Sequence, residues 1–198
     1  KKAADFRYIG KGKLAVVDLA DIGRGKAVYG QDKHLPGMVY AVVARPAVLG
    51  AKLRSAQKDK ALAVPGVKAL VDIPAYKGAP AFQPLGGVAV VARNTWAATK
   101  GREALVLDWD EGPHASYDSA AYRKELEKSA NSPGKVLRSN GDLEAAVKNA
   151  GNQALVKADY YVPHLAHASM EPPTATALLS ADKSHCEIWT SVQAPEAA

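Results

Sequence analysis

The chain has one cysteine, Cys186, in 198 residues, which excludes an internal disulfide and any CxxC-type zinc or iron–sulfur site within it. No apolar run approaches the roughly 18 residues that a membrane-spanning helix needs. Neither a G-x-G-x-x-G fingerprint nor a phosphate loop is present, and Gly86 and Gly87 precede a predicted strand where a fingerprint would follow one. These absences leave no support for a disulfide framework, a membrane span or a nucleotide-binding loop.

The charge balance argues against nucleic acid as a partner, although the net charge is +6. The basic residues are scattered along the chain, and the sequence contains no basic helix pattern with interleaved aromatic residues. Apolar residues make up 47% and charged residues 23%, as in ordinary globular proteins. A chain of this length can bury a real hydrophobic core.

Apolar runs bounded by turn residues predict mostly strands in the first 113 residues. Two short helices are expected, over 58–64 and from a cap at Asn94 or Thr95 to about Ala104. Strands that follow one another in runs favour an α+β fold over a doubly wound sheet. The predicted strands are 26–30, 38–44, 51–55, 67–73, 88–92 and 105–109.

The rest of the chain predicts a second region after a flexible break. Ser119 is expected to cap a polar helix over 120–128, and the Pro–Gly segment near 130–134 then marks a boundary. Asp142 should cap a helix to Asn149. Strands are expected over 154–161 and 186–192. The predicted organisation is an extended basic linker (1–23), an α+β domain (24–128), a second linker (129–140) and a further domain (141–198).

Residues 160–177 gather the most chemically capable side chains. His164, His167 and Glu171 would share one face of a helix, but Pro163 and the Pro172–Pro173 pair predict an extended, irregular segment that lays polar groups into a cleft. A metal site at the histidines lacks a nearby cysteine or third ligand, so hydrogen-bonded histidines in a packed loop are the favoured interpretation.

Other notable residues have simple structural interpretations. Glu171 is expected to accept hydrogen bonds from backbone N–H groups, and Cys186 to be a small buried hydrophobe. The three tryptophans, at positions 96, 109 and 189, are expected to pack in the core or between domains. A hydrolase that uses Ser169 or Ser191 with His167 lacks a G-x-S-x-G elbow and an acidic partner at sensible spacing.

Taken together in order, several motifs resemble the large subunit of the molybdenum hydroxylases, the xanthine dehydrogenase and aldehyde oxidase family. The resemblance covers nearly the whole chain and is greatest to the isoquinoline 1-oxidoreductase β-subunit type, also called molybdopterin-binding aldehyde dehydrogenase. No single motif is diagnostic, but their order matches that of the family. The motifs are Gly25–Asp32, Leu35–Pro46, Val64–Val67, Gly87–Ala92 with Trp96–Ala98, Leu107–Pro113, His164–Pro173 and Trp189–Pro195.

The resemblance implies that 24–128 is an α/β-hammerhead domain and that 141–198 begins a molybdenum-cofactor-binding domain. It also implies an enzyme that hydroxylates an aldehyde or N-heterocycle with water and passes electrons to [2Fe-2S] clusters in a separate small subunit. Gln193 matches a glutamine whose amide approaches a ligand oxygen of the molybdenum, with His167 and Glu171 in supporting roles. Relatives of this type often work in the periplasm, and the residues of this chain show no signal-peptide pattern of their own.

The chain is expected to be an N-terminal excerpt without a catalytic residue, a protein-ligated metal or a bound cofactor of its own. Its expected partners are the remainder of the large subunit, the iron–sulfur subunit and a small substrate. In isolation it should self-associate through apolar surface near Ile188, Trp189 and Val192. The alternative is a non-catalytic interaction module that reuses the hammerhead shape, because fold alone does not fix function.

We predict that the parent gene continues past Ala198 into a Gly-Gly-x-Phe-Gly segment, which the resemblance places after Gln193. Pro195 followed by Glu and Ala reads as the first turn of a helix that should continue. Sequencing the gene downstream of Ala198 checks this expectation. A stop codon directly after Ala198 would contradict it.

Overall fold

The computed structural model describes residues 2–10, 12, 15–78, 85–151 and 155–194. The chain divides into two compact units: the first joins residues 1–36 to 161–198, and the second runs from Gly37 to Tyr160. Helices and strands are mixed, and every strand pair among the described residues is antiparallel. No helix in the described parts is long and apolar enough to cross a bilayer.

Most predicted elements are present at positions close to those expected. Strand 67–73 is confirmed at both ends, and the other confirmed elements shift by a few residues. The helices are α1 (Leu19–Gly23), α2 (Asp59–Leu62), α3 (Thr95–Ala104), α4 (Ser119–Ala130) and α5 (Leu143–Ala150). The strands are β1 (Tyr40–Ala44), β2 (Lys52–Gln57), β3 (Val67–Ile73), β4 (Gly87–Ala92), β5 (Val106–Asp110), β6 (Ala175–Leu179) and β7 (Cys186–Thr190).

The core of the second unit is built around β4, the central strand of a three-stranded sheet with order β1–β4–β3. Its sequence is almost wholly apolar, as suits a strand covered on both faces. Val90 pairs with Val42 on one side and with Leu70 on the other. Val88 and Val90 are fully buried, so this strand supplies the largest side chains that the core encloses completely.

Helix α3 packs on this sheet through small residues. Asn94 caps it, as predicted, because its side-chain oxygen accepts a hydrogen bond from the Ala97 N–H at 2.8 Å. Ala97 and Ala98 are buried against the sheet. A Cβ on Gly101 would lie 2.7 Å from Val90 Cγ1, so this position fits only glycine without rearrangement.

Trp96 does not pack in the core, contrary to expectation. It is 70% exposed, and the Lys100 ammonium lies 4.7 Å from its ring centroid. The small residues of α3 form the face that packs on the sheet. Trp96 lies on the other side of the helix and is therefore exposed to solvent. Trp109 and Trp189 are each half-buried.

Strands β2 and β5 form a separate two-stranded sheet with a register irregularity between Leu53 and Ser55. Arg54 occupies this irregular position, and its Nη1 lies 3.3 Å from Asp108 Oδ2. Both side chains are more than half exposed, so solvent screening keeps the contribution of this ion pair to stability small.

The residue that caps α4 differs from the one predicted. Asp118, where Ser119 was predicted, caps α4: its carboxylate accepts from the Ala121 N–H at 2.7 Å. Asp118 has the extended backbone conformation that a cap requires, while Ser119 is already helical. The predicted cap of α5 is confirmed, with Asp142 Oδ1 accepting from the Ala145 N–H at 2.9 Å.

Two predicted extended segments near the N-terminus differ from expectation. The linker over 1–23 is not extended throughout, because its end coils into α1. No strand forms over 26–30. Instead, a 3₁₀ turn spans Gly30–Asp32, and the Tyr29 N–H donates to Asp32 Oδ2 at 2.9 Å. The short apolar run at 27–29 has no partner strand among the described residues, so local hydrogen bonds satisfy part of the backbone.

The predicted strand over 154–161 is absent from its described part, 155–161. These residues are exposed, Val156 at 95%, and pair with no strand among those described, which leaves their β-propensity without effect. The strand predicted over 186–192 is confirmed as β7, which ends two residues earlier. Its hairpin partner β6 was not predicted, and Cys186 is exposed, not buried, because this hairpin has only two strands.

We predict that Gly101→Ala destabilises the chain by about 1–3 kcal/mol, although alanine is the better helix former, because its methyl group would overpack against Val90 and Val67. Urea unfolding of the 198-residue chain measures the change. Gly134→Ala is the control, since a Cβ there meets nothing within 4 Å. Equal midpoints for Gly101→Ala and the wild type would contradict the packing at this position.

Candidate functional site

The proline-framed segment adopts the irregular conformation that its sequence predicts. Residues 161–169 form neither helix nor strand, so His164 and His167 do not share a helical face. Both histidines are exposed, as is Met170 at 99%. Ala168 has a φ of 48°, which is uncommon for a residue with a Cβ and shows how sharply the chain bends here.

Glu171 is the member of this segment that makes a defined contact. Its Oε1 accepts a hydrogen bond of 2.8 Å from the backbone N–H of Gly30, a residue 141 positions earlier, and the contact is partly buried. This confirms the expectation that Glu171 satisfies a backbone donor. A hydrogen bond to a carboxylate is also stronger than one to a neutral acceptor.

Gly30 lies in a cradle formed by three side chains. A Cβ on Gly30 would meet Thr174 Oγ1 at 2.5 Å, Glu171 Oε1 at 3.3 Å and Ser191 Oγ at 3.7 Å. The φ of Gly30 is not in the left-handed region, so space, rather than backbone conformation, requires glycine here. Thr174 Oγ1 is buried and has no hydrogen-bond partner within the described residues.

A second contact joins the same N-terminal turn to β7. The Lys33 ammonium lies 3.9 Å from the centroid of the Trp189 ring, a cation–π arrangement. The next residue, Thr190, donates its hydroxyl to the Thr174 carbonyl at 3.0 Å. The turn at residues 29–33 therefore contacts the side chains on both sides of the hairpin's open end.

Gln193 follows this arrangement directly. It lies three residues past the end of β7 and two past Ser191, and it is exposed. No hydrogen bond within the described residues engages its side-chain amide. The structure places Glu171, Thr174 and Ser191 around Gly30, whereas His167 and Gln193 make no defined contact with that group.

The β6–β7 turn has its own hydrogen-bond network, centred on Asp182. Asp182 accepts from the Ser180 hydroxyl at 2.6 Å and from the Ser184 hydroxyl at 2.7 Å. These bonds, with a further one from the Ser184 N–H, stabilise the charged carboxylate and lower the pKa of Asp182 to about 2. The network closes the turn and fixes the hairpin register.

Comparison with protein families gives a match over the last third of the chain. Residues 128–198 match the molybdopterin cofactor-binding domain. This range contains the proline-framed segment, the β6–β7 hairpin and Gln193. It begins before the predicted domain start at residue 141, within α4.

Two curated relatives match most of the chain. The isoquinoline 1-oxidoreductase subunit beta of Brevundimonas diminuta is 29% identical over 98% of this chain and 24% of its own length. A membrane-bound aldehyde dehydrogenase of Gluconacetobacter polyoxogenes, whose name includes pyrroloquinoline-quinone, is 29% identical over 89% of this chain and 22% of its own length. The chain thus spans about a quarter of the length of these relatives.

A solved structure supports the fold. Quinoline 2-oxidoreductase from Pseudomonas putida 86 superimposes with a TM-score of 0.57 and 19% sequence identity, over 88% of this chain and 26% of its own. The matched domain and the relatives agree with the motifs in the sequence. The chain therefore contains a match to a molybdopterin cofactor-binding domain and is similar over most of its length to the two curated relatives.

The side chain of Gln193 is chemically compatible with a neighbouring molybdopterin cofactor. The described residues contain no group of three or more His, Cys, Asp or Glu side chains that could hold a metal. A pterin cofactor that carries sulfur ligands for its own metal instead requires hydrogen-bond donors from the protein. The exposed, unengaged Gln193 amide is such a donor and adds no charge.

Sequence analysis missed Gly30, Lys33 and Thr174 as members of this site. The one available signal was that Gly30 falls within the Gly25–Asp32 motif, which was read as a strand. Because the contacts connect residues more than 140 positions apart, no local pattern could have revealed them.

We predict that Asp182 stabilises the hairpin at neutral pH and that this contribution disappears in acid. The folded pKa of Asp182, about 2, lies below its ordinary value of 3.8. The contribution is therefore fully present above pH 3.8 and is lost as the pH falls towards 2. The measurement is urea unfolding of the wild type and Asp182→Asn between pH 7 and pH 2. A difference between the two that is independent of pH would contradict the prediction.

Proposed function

We propose that the chain is part of the large subunit of a molybdopterin-dependent oxidoreductase that hydroxylates an aldehyde or an N-heterocycle. The observation that carries this proposal is the cofactor-binding-domain match over 128–198, which contains an exposed amide at Gln193. The two curated relatives, named as an oxidoreductase subunit and a dehydrogenase, support the same reaction class.

In this proposal the chain's own residues bind and orient. Gln193 would donate a hydrogen bond from its side-chain amide to an oxygen ligand of the bound molybdenum, while Glu171 holds the neighbouring backbone through Gly30. His167 supports the same region from the proline-framed segment. The cofactor, when bound, would supply the redox chemistry by which a hydroxyl group from water replaces a substrate hydrogen, with release of two electrons and two protons.

We further propose that residues 24–128 form an α/β-hammerhead domain and that 141–198 open the cofactor-binding domain. The mixed strands and helices of the second unit and the likeness to quinoline 2-oxidoreductase support this assignment. The proposed partners are the remainder of the large subunit and an iron–sulfur small subunit. The word "subunit" in the isoquinoline enzyme's name supports an assembly of several chains.

We predict that the intact protein, produced with its neighbouring genes, contains about one equivalent of molybdenum per chain. Elemental analysis of the purified protein measures this ratio, and extraction with chromatography tests the same sample for pyrroloquinoline quinone. Gln193→Ala should lower the turnover number by about 10²-fold, in the range for a residue that tunes a metal centre from outside its ligands.

The matched control is Gln57→Ala, which removes an exposed glutamine at the end of β2, and it should leave metal content and turnover unchanged. If the purified protein contains pyrroloquinoline quinone and no molybdenum, the proposed cofactor is wrong. Absence of both would support the non-catalytic module.

A further inference from the structure

We infer that the N-terminal turn at residues 29–33 positions Gln193, with Gly30 and Lys33 as its positioning residues. This inference rests on the proposed role of Gln193 and extends it to residues that have no assigned part in the site. Its basis is that one short turn contacts Glu171, Thr174, Trp189 and Ser191, all within the same compact unit.

The hairpin alone does not fix the chain at Gln193. Strand pairing ends with Ala175 opposite Thr190, and the following residues, Ser191 to Ala194, are exposed and lie outside any strand. A two-stranded hairpin is only marginally stable by itself. An additional constraint is therefore needed to hold the chain from Ser191 to Gln193.

The Gly30 backbone supplies that constraint at the open end of the hairpin. Its N–H holds the Glu171 carboxylate, which precedes β6, and its Cα surface lies near Ser191, which follows β7. The missing Cβ allows this close approach, since Thr174 Oγ1 occupies the space that a methyl group would need. Gly30 thus contacts both the chain entering the hairpin and the chain leaving it.

Lys33 reinforces the contact from the other end of the turn. Its ammonium lies over Trp189, two residues before Ser191, and the lysine side chain is partly buried. The turn itself is closed by the bond from the Asp32 N–H to the Tyr29 carbonyl at 3.0 Å. A rigid turn with two attachment points restricts the exit of β7 more than either contact could alone.

The first test is amide hydrogen exchange of the paired strands β6 and β7 in the intact protein. Gly30→Ala should speed exchange there at least about tenfold, which corresponds to about 1.4 kcal/mol of lost protection. Gly23→Ala is the matched control, because a Cβ at Gly23 meets nothing within 4 Å and its φ is not positive. If the folded Gly30→Ala variant exchanges its amide hydrogens at the wild-type rate, the inference is wrong.

A compensating substitution separates the contact from a general effect on folding. Thr174→Ala removes the hydroxyl that blocks a methyl group at position 30, and that hydroxyl has no hydrogen-bond partner to lose within the described residues. Gly30→Ala combined with Thr174→Ala should therefore return most of the lost protection. A double variant whose exchange stays as fast as that of Gly30→Ala would contradict the proposed contact.

The second test connects the turn to Gln193. At equal molybdenum content, Gly30→Ala should shift the g-values of the Mo(V) electron paramagnetic resonance signal, and the same substitution in a Gln193→Ala background should add no further shift. An additive shift, or none in Gly30→Ala alone, would overturn the positioning role. If the Gly30→Ala protein does not accumulate, Lys33→Met is measured in its place. We expect this variant to raise the amide exchange rate about two- to fivefold.

These readouts distinguish the inference from the proposed function. If the wild-type protein contains molybdenum but Gly30→Ala and Lys33→Met exchange normally, the inference fails and the proposed function stands. If the wild type contains no molybdenum, the proposed function fails and the inference that rests on it fails too, while exchange still shows whether the turn stabilises the β6–β7 hairpin.

Discussion

The hydrogen bond from the Gly30 N–H to Glu171 is the interaction on which the first compact unit depends. It joins two stretches that are 141 residues apart and fixes them where the β6–β7 hairpin begins and ends. The hairpin has no third strand among the described residues, so contacts of this kind must supply the order that a larger sheet would provide. Thr174, Ser191 and the Lys33–Trp189 pair extend the same junction.

This hydrogen bond also gives Glu171 a structural role. In the sequence, a carboxylate between two histidines and two prolines resembles part of an acid–base or metal cluster. In the structure it accepts a backbone N–H, and His167 is exposed without a defined contact to it. The segment therefore acts as a support for its neighbours. In the proposed function, the side chain that would meet the cofactor is Gln193, which is exposed just beyond this segment and the hairpin.

The sequence predicts features that depend on neighbouring residues and misses those that depend on distant ones. Asn94 and Asp142 cap their helices as expected because capping involves residues only three positions apart. The run from Val67 to Ile73 becomes a strand because it pairs with the apolar strand β4. Residues 26–30 and 155–161 have similar patterns without such a partner, so the predicted strands do not form.

The central claim is that Gln193 donates a hydrogen bond to an oxygen ligand of molybdenum. A high-resolution crystal structure of the intact, molybdenum-loaded protein tests it most directly through one distance, from Gln193 Nε2 to the nearest oxygen ligand of the metal. The account predicts a separation of about 2.7–3.2 Å, the range of an N–H···O hydrogen bond. A Gln193 amide beyond that range, with another residue donating to the oxygen, would contradict it.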